Sequence, residues 1–481
     1  MSGTSQSLFS DFSAVSDEEW QARILKDLKG KDFDATLLWN TEDGLEVPPF
    51  LRNHPAEATA GNPGQAPYRR GGKTDNNHWE IREVIADDAP EKANKASLEA
   101  LNSGATCVAF TTPMAGAAVA RLCKDILPEY APVDFRTDAR ALEVFQAWST
   151  LWKEKASKIR GCLGYDPLAK LASTGNWWIS ENDDFELLHQ LVQRSKSSES
   201  PFRVLEVDTL VVHSAGANRI QELGWALAHG NAYLSYLTAK GHTAAEAANQ
   251  MRFSFGTGSS YFPELAKFRA FRQLWNRVVD AYQPQPALVA PELRATTSPW
   301  NQTAYDANTN LLRATTETMS AALGGVNYIT VLPYTTPVEL PDGFALRIAR
   351  NLQLMLKEES YLDRIVDPAA GSYYLEYLTD QLAEKAWGFF QSIEAQGGIL
   401  PALQSGWLQG EIAQVAAQKK AAIASGETTL LGVNKHPNQA ERLSEQLTAL
   451  PTEEAAPSGA IVPLPSFRGA EALEQERFAK E

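Results

Sequence analysis

From about residue 78 onward, short apolar runs alternate with longer stretches of helical periodicity. The runs Cys107–Phe110, Val204–Val212, Ala287–Ala290 and Asn327–Leu332 read as strands. The second of these is apolar except at Glu206, Asp208 and Thr209. Between the runs, the spacing of apolar residues predicts helices over Ala215–Gly230, Ala244–Gln250, Phe262–Tyr282 and Phe344–Glu359. In the last, Phe344, Ile348, Leu352 and Met355 share a stripe, which predicts that this side faces the core. Strands alternating with amphipathic helices predict βα units and a parallel sheet covered on both faces.

The flanks read differently. Residues 1–15 are Ser-rich. Asp17-Glu18-Glu19 then opens a short helical pattern, with Trp20, Ile24 and Leu28 on one side and Gly30 as a stop. Residues 38–75 are rich in Pro, Gly and Asn, including Pro48-Pro49 and Gly61-Asn62-Pro63-Gly64. A segment this long without periodicity is costly to order unless it packs on something; an arm that wraps a partner is one solution, and a disordered linker is the alternative. Beyond Asp367 the pattern turns helical. Thr379 is placed to cap a helix carrying Leu382, Ala386, Phe390 and Ile393, closed by Gly397-Gly398. A second helical stretch spans Ile399–Ala424 and ends at Ser425-Gly426. Pro451–Phe467 reads as an extended tail. The expected organisation is an arm and linker over 1–75, a βα domain over 76–375, a helical extension over 376–440 and a tail over 441–481.

Composition narrows the function. The chain has 481 residues, is 44% hydrophobic and carries a formal net charge of −15. Such an acidic surface repels phosphate backbones and anionic lipid, which disfavours nucleic acid and membrane partners. Cys107, Cys123 and Cys162 have neither CxxC spacing nor paired histidines, so they read as buried thiols of a cytoplasmic protein, with no metal site. Met1 to Val15 lacks the basic and apolar parts of a signal peptide, and no window holds 18 unbroken apolar residues.

Catalytic motifs are scarce. The chain contains no GxxxxGK[ST], HExxH or GxSxG, and Gly256-Thr257-Gly258 lacks the third glycine of a dinucleotide loop. His213, at the end of the longest strand pattern, is a general-base candidate by position, with a loop hydrogen bond as its plainer role. Arg252 and Ser254, two apart, face the same way on an extended segment and could together hold a phosphate. The competing reading is an ordinary ion pair.

Several ordered segments resemble the barrel of methylmalonyl-CoA mutases: Arg347-Ile348-Ala349-Arg350-Asn351, Glu358-Glu359-Ser360, Val366–Tyr373, Arg252–Phe255, Glu264–Lys267, Arg272–Trp275, Ala215-Gly216-Ala217, Gly324-Gly325 and Gly432–Lys435. The similarity spans roughly residues 55–440. It implies an α/β fold, a (β/α)8 TIM barrel with an N-terminal extended arm and a C-terminal helical extension. Catalytic members enclose an acyl-CoA along the barrel axis beneath a cobalamin domain.

The departures from the family pattern are specific. The catalytic Tyr-His pair before Ala-Gly-Ala falls on Leu210 and Val211, and the Tyr two residues beyond Arg82 falls on Val84. The Gln and Arg that hold the substrate carboxylate region fall on Gly164 and Thr174. Two further substrate-side Gln positions fall on Thr296 and Asn327, and an acidic pair on Thr335-Thr336. Radical rearrangement requires a polar cavity that pins the substrate and excludes water, and these changes remove its anchors. His213, two residues past Val211, would share its strand face about 7 Å further along. The cobalt-binding Asp-x-His-x-x-Gly is also absent.

The resemblance, including the arm-like Phe9–Lys29 and Leu38-Trp39-Asn40, therefore implies a small subunit in short form, lacking the cobalamin domain. It would have no catalytic residues and bind no cofactor itself. It would pair with a large catalytic subunit that holds adenosylcobalamin, and acyl-CoA would be handled by the complex. Arg82, Arg252 and Ser254 would be the residual coenzyme A contacts. The alternatives are an active mutase barrel rebuilt around His213, Asn327 and Tyr328 that works with a separate cobalamin-binding chain, or a coenzyme A-binding module.

Overall fold

The computed structural model describes residues 13, 15–52, 61–196, 200–282, 290–445, 447–451 and 459–481. All of the run Ala287–Ala290 except Ala290 lies outside the described residues. The chain divides into two units, at residues 53 and 54.

The first unit holds helices Asp17–Asp27 and Phe33–Leu37 and a small antiparallel pair, β1 (Trp39–Asn40) and β2 (Glu46–Val47). Ser16 and Glu19 form a reciprocal cap on the first helix. That helix buries none of its residues, and Trp20, Leu25 and Trp39 are each close to half exposed.

The second unit is a closed barrel of eight parallel strands: β3 (Glu80–Ile85), β4 (Cys107–Phe110), β5 (Val133–Phe135), β6 (Gly161–Tyr165), β7 (Arg203–Asp208), β8 (Met251–Thr257), β9 (Glu292–Thr297) and β10 (Tyr328–Thr330). They pair in chain order, and β10 closes on β3. Helices fill the connections. Strands β4, β6 and β8 are buried at every position, as a two-sided sheet requires. The outer layer is aromatic in places: Phe253 of β8 packs against Phe271 and Trp275 at 4.6 and 4.7 Å between ring centroids. No helix among the described residues is long and apolar enough to cross a membrane.

Four local expectations change. The run Val204–Val212 is a strand only to Asp208. The Asp208 carboxylate accepts the Leu210 amide at 3.0 Å and turns the chain into a short helix, Leu210–Ser214. The following helix begins at Arg219, because Asn218 and Gln221 form a capping box, and it runs to Ala239. The helix Tyr373–Ala395 is capped by Ser372. Thr379 lies inside it, donating to the Leu375 carbonyl. The stretch after Gly398 forms two helices, Ile399–Gln404 and Trp407–Ser425, split at Gly406 with φ 77°.

The helix Gly343–Glu358 also faces differently. Ala345, Ala349, Leu352 and Leu356 are buried, whereas Phe344 and Met355 are 56% and 42% exposed. The small alanines let the helix approach the barrel closely. Its inward polar residues are also tied there: Arg350 to Glu83 at 2.7 Å, and Gln353 to the Trp79 indole at 3.2 Å.

Residues 61–78 pack on the barrel. Arg69 meets Glu376 and Asp380, Arg70 meets Asp367, and the buried Arg269 holds Asp367 and Glu376 from the other side. Arg272 donates to the Tyr68, Arg69 and Gly324 carbonyls. The Arg272–Trp275, Gly324-Gly325 and Val366–Tyr373 segments thus all help to seat this stretch.

Candidate functional site in the barrel lumen

Side chains alternate along a strand, so each barrel strand sends every second residue inward. Here the inward positions carry charge. Asp134 of β5 accepts from Arg82 of β3 and from Arg252 of β8, each at 2.6 Å. Arg252 also reaches Glu292 of β9 at 2.6 Å, and the Tyr328 ring lies 4.0 Å from its guanidinium carbon. Arg82 donates to the Thr330 hydroxyl at 3.1 Å. One layer towards the strand ends, Ser254 donates to Glu206 and accepts from Arg294 at 2.7 Å. The lumen is plugged by an ionic network that spans non-adjacent strands.

The electrostatics are self-consistent. Burial would raise the Asp134 pKa, but Arg252 and Arg82 outweigh it and hold the carboxyl below its usual range. Burial likewise opposes the charge on Arg252, yet Asp134 and Glu292 push its pKa well upward. Asp208, above the plug, is carried up to about 6 by burial, with Glu206 and Asp166 acting in the same direction against Arg294.

The candidate substrate positions do not form one constellation. Val84, Gly164 and Thr296 line the upper lumen, and Val84 is 36% exposed there. Gly164 has φ +64°, and a Cβ on it would stand 2.4 Å from the Phe135 carbonyl oxygen, so no longer side chain fits without moving β5. Leu210 and Val211 lie on the short helix past β7, not on the strand. Thr174 ends the helix Pro167–Thr174 and donates to the Lys170 carbonyl. Asn327 is at the opposite end of the barrel, where its side chain accepts the Leu293 amide at 2.9 Å. Thr335 and Thr336 follow β10 in a turn. Arg82, Arg252 and Ser254, the expected coenzyme A contacts, all have partners inside the plug.

His213 is not on the face of β7 either. From its helix it meets Ser298 at 2.7 Å through Nε2 and Glu222 at 3.4 Å through Nδ1. Ser, His and Glu in sequence suggest nucleophilic catalysis. The surroundings oppose it. Ser298 is 1% exposed, and its own amide is spent on the Thr257 carbonyl and Glu317, so it is not available as an oxyanion donor. Glu222 also takes the buried Lys267, which pairs in turn with Glu264. Burial would raise the Glu222 pKa, but Lys267 and His213 lower it far below its ordinary value. His213 belongs to a structural network between β7, β8 and the surrounding helices.

The tail crosses this end of the barrel. The amides of Ile461, Leu464, Phe467 and Gly469 donate to the carbonyls of Gly175, Ala172, Ser214 and Trp300, in segments that follow β6, β7 and β9. Phe467 packs on Trp300 at 5.2 Å.

A match to the family model described as methylmalonyl-CoA mutase covers residues 115–458. The chain belongs to the methylmalonyl-CoA mutase family. It is 37% identical to the methylmalonyl-CoA mutase small subunit of Porphyromonas gingivalis, over all of this chain and 79% of that protein. It is 35% identical to the small subunit of Streptomyces virginiae, over 98% of this chain and 77% of that one. The small subunit of Propionibacterium freudenreichii subsp. shermanii is 31% identical, over 90% and 70%. Sequence reasoning missed Asp134, Glu206, Glu292 and Arg294. Their signal was present as charges inside, or at alternate positions of, short runs that a covered sheet should keep apolar.

Proposed function

We propose that this chain is the non-catalytic small subunit of a heterodimeric, adenosylcobalamin-dependent methylmalonyl-CoA mutase, and that it stabilises the large catalytic subunit. The Asp134–Arg252–Glu292 plug carries this reading. It occupies the axis along which the family resemblance places an acyl-CoA, and its charges are spent on one another. The engagement of Arg82, Arg252 and Ser254 supports a structural role for them over coenzyme A binding. It counts equally against an active barrel rebuilt around His213, Asn327 and Tyr328, since these three stand in different layers with bonded or covered polar groups.

The cofactor belongs to the partner in this reading. His213, the histidine just beyond the end of β7, uses both ring nitrogens on Ser298 and Glu222, so it does not fit cobalt ligation. This chain's residues instead build a stable barrel and present surfaces. The half-exposed Trp20, Leu25 and Trp39 of the first unit, and Phe344 and Met355 on the barrel, are apolar groups that a subunit interface would cover. The buried free thiols suit a reducing cytoplasm.

The test is activity with adenosylcobalamin and methylmalonyl-CoA. The chain alone should be inactive, and co-expression with a catalytic large subunit should give an active one-to-one complex. Turnover by the chain alone would overturn the proposal.

A further inference from the structure

A small cleft opens where the barrel strands begin, beside the stretch 61–78. Lys73, Asn77, Arg272, Gly325, Arg70 and Asp367 line it. Its volume is about 10 Å³, roughly the space of one small molecule. Lys73, half-buried, points its nitrogen at two uncharged acceptors: the Val326 carbonyl at 2.7 Å and the Asn77 side-chain oxygen at 3.3 Å.

The surrounding charges leave this lysine without an ion pair. Arg272, from the helix Tyr261–Asp280, gives its guanidinium to the carbonyls of Tyr68, Arg69 and Gly324. Lys357, from the helix Gly343–Glu358, donates to the Trp79 carbonyl at 3.0 Å. The carboxylates close by are held by others: Glu80 of β3 by Arg160 at 2.7 Å, and Asp367 by Arg70 and Arg269. Burial, Arg272 and Lys357 lower the Lys73 pKa to about 7, against Glu80. The His78 pKa is also lowered, by burial, Lys357 and Lys73, against Glu80 and Asp363. About half of the Lys73 amine is thus uncharged at neutral pH. An uncharged amine has two N–H groups. The two acceptors take both, and the lone pair remains for an electrophile.

We propose that Lys73 is a carbamylation site for carbon dioxide. The cleft excludes bulky acyl donors, whereas carbon dioxide is narrow and uncharged. The amine nitrogen attacks the carbon, so an N–C bond forms, one C–O π pair moves onto oxygen, and one N–H proton leaves to solvent. The product is a carbamate anion. Arg272 and Lys357 offer it positive charge that no carboxylate bonds among the described residues. The change from cation to anion adds ion pairs between the stretch 61–78 and the barrel, which favours the folded state. The site is separate from the strand-end face of the barrel and does not depend on the subunit reading.

The test uses the full chain equilibrated with carbon-13 bicarbonate at pH 7.5, about the range in which a lysine of ordinary pKa is almost wholly protonated. Triethyloxonium ion then traps any carbamate as a stable ethoxycarbonyl group, and peptide masses locate the isotope. Label is expected at Lys73, at least about tenfold above that at Lys95, whose side chain is 80% exposed. At fixed pH and ionic strength, bicarbonate should raise the melting temperature of the native protein but not of Lys73→Met, which keeps the aliphatic stem. The trapping experiment needs no variant, so it stands even if Lys73→Met fails to fold. Absence of label at Lys73, equal labelling of Lys95, or the same melting response in both proteins overturns the proposal.

Discussion

Arg252 and Asp134 meet at 2.6 Å across the barrel lumen, from strands β8 and β5 that are not neighbours, and neither is more than 2% exposed. Two charges taken this far from water persist only when each is paired, and removing one partner leaves the other uncompensated. Asp134 serves two guanidiniums at once, those of Arg252 and Arg82. Asp134→Asn should therefore destabilise the barrel by about 3–5 kcal/mol, measured by urea unfolding. A loss below about 1 kcal/mol would mean that the pair is not a structural centre. Because the Asp134 pKa is depressed on folding, its contribution is present at neutral pH and is lost as pH falls below the ordinary carboxylate range. The variant should accordingly show a flatter acid limb.

Glu317 behaves in the opposite sense. Burial, reinforced by Glu264, raises its pKa to about 8 against the hydrogen bonds from Asn301 and Ser298. The folded protein holds this proton and the unfolded chain releases it near 4.5. Stability from this group is thus fully present below that value and is lost as pH rises towards about 8. The melting temperature should fall between pH 5 and 8 by more in the native protein than in Glu317→Gln, which keeps a neutral side chain. Parallel pH profiles for the two proteins would count against a protonated Glu317.

Glutamine at Gly164, the position that the family resemblance aligns with a substrate-side Gln, should not create a site. Gly164→Gln places a side chain at φ +64° and a Cβ 2.4 Å from the Phe135 oxygen. We expect a loss of about 2–4 kcal/mol from the left-handed backbone and the overpacked contact. Calorimetry should detect no gain in acyl-CoA binding. A stable Gly164→Gln protein that binds acyl-CoA would show that the lumen can be reopened.

Phe344 and Met355 have little to hold in the isolated chain. Replacing both by Glu should change its stability by less than about 0.5 kcal/mol. Under the subunit reading, the same change should weaken the complex with the large subunit by at least about tenfold, read as the mass of the species at micromolar concentration. Full retention of the complex would remove this helix from the interface.

Much of the scaffold was legible in the sequence, because it rests on local rules. Cys107–Phe110 and Asn327–Leu332 are short apolar runs whose strands appear within one or two residues. Gly397-Gly398 and Ser425-Gly426 end helices because glycine accepts the left-handed turn there. The site was less legible. Val204–Val212 reads as one strand by composition, but a side-chain-to-backbone bond at Asp208 breaks it, and this moved Leu210, Val211 and His213 off the expected face.

The sequence by itself determined the family and the alternation of strand and helix. Only the tertiary structure decided what fills the barrel. The partners of Arg252 lie 118 and 40 residues away. Strand periodicity says that such residues share an inward face, but closure of the sheet sets which of them stand opposite one another across the axis. The same holds for the helix Gly343–Glu358, whose apolar residues occupy two faces. Close packing on the barrel selects the face with alanines and leaves Phe344 and Met355 to solvent.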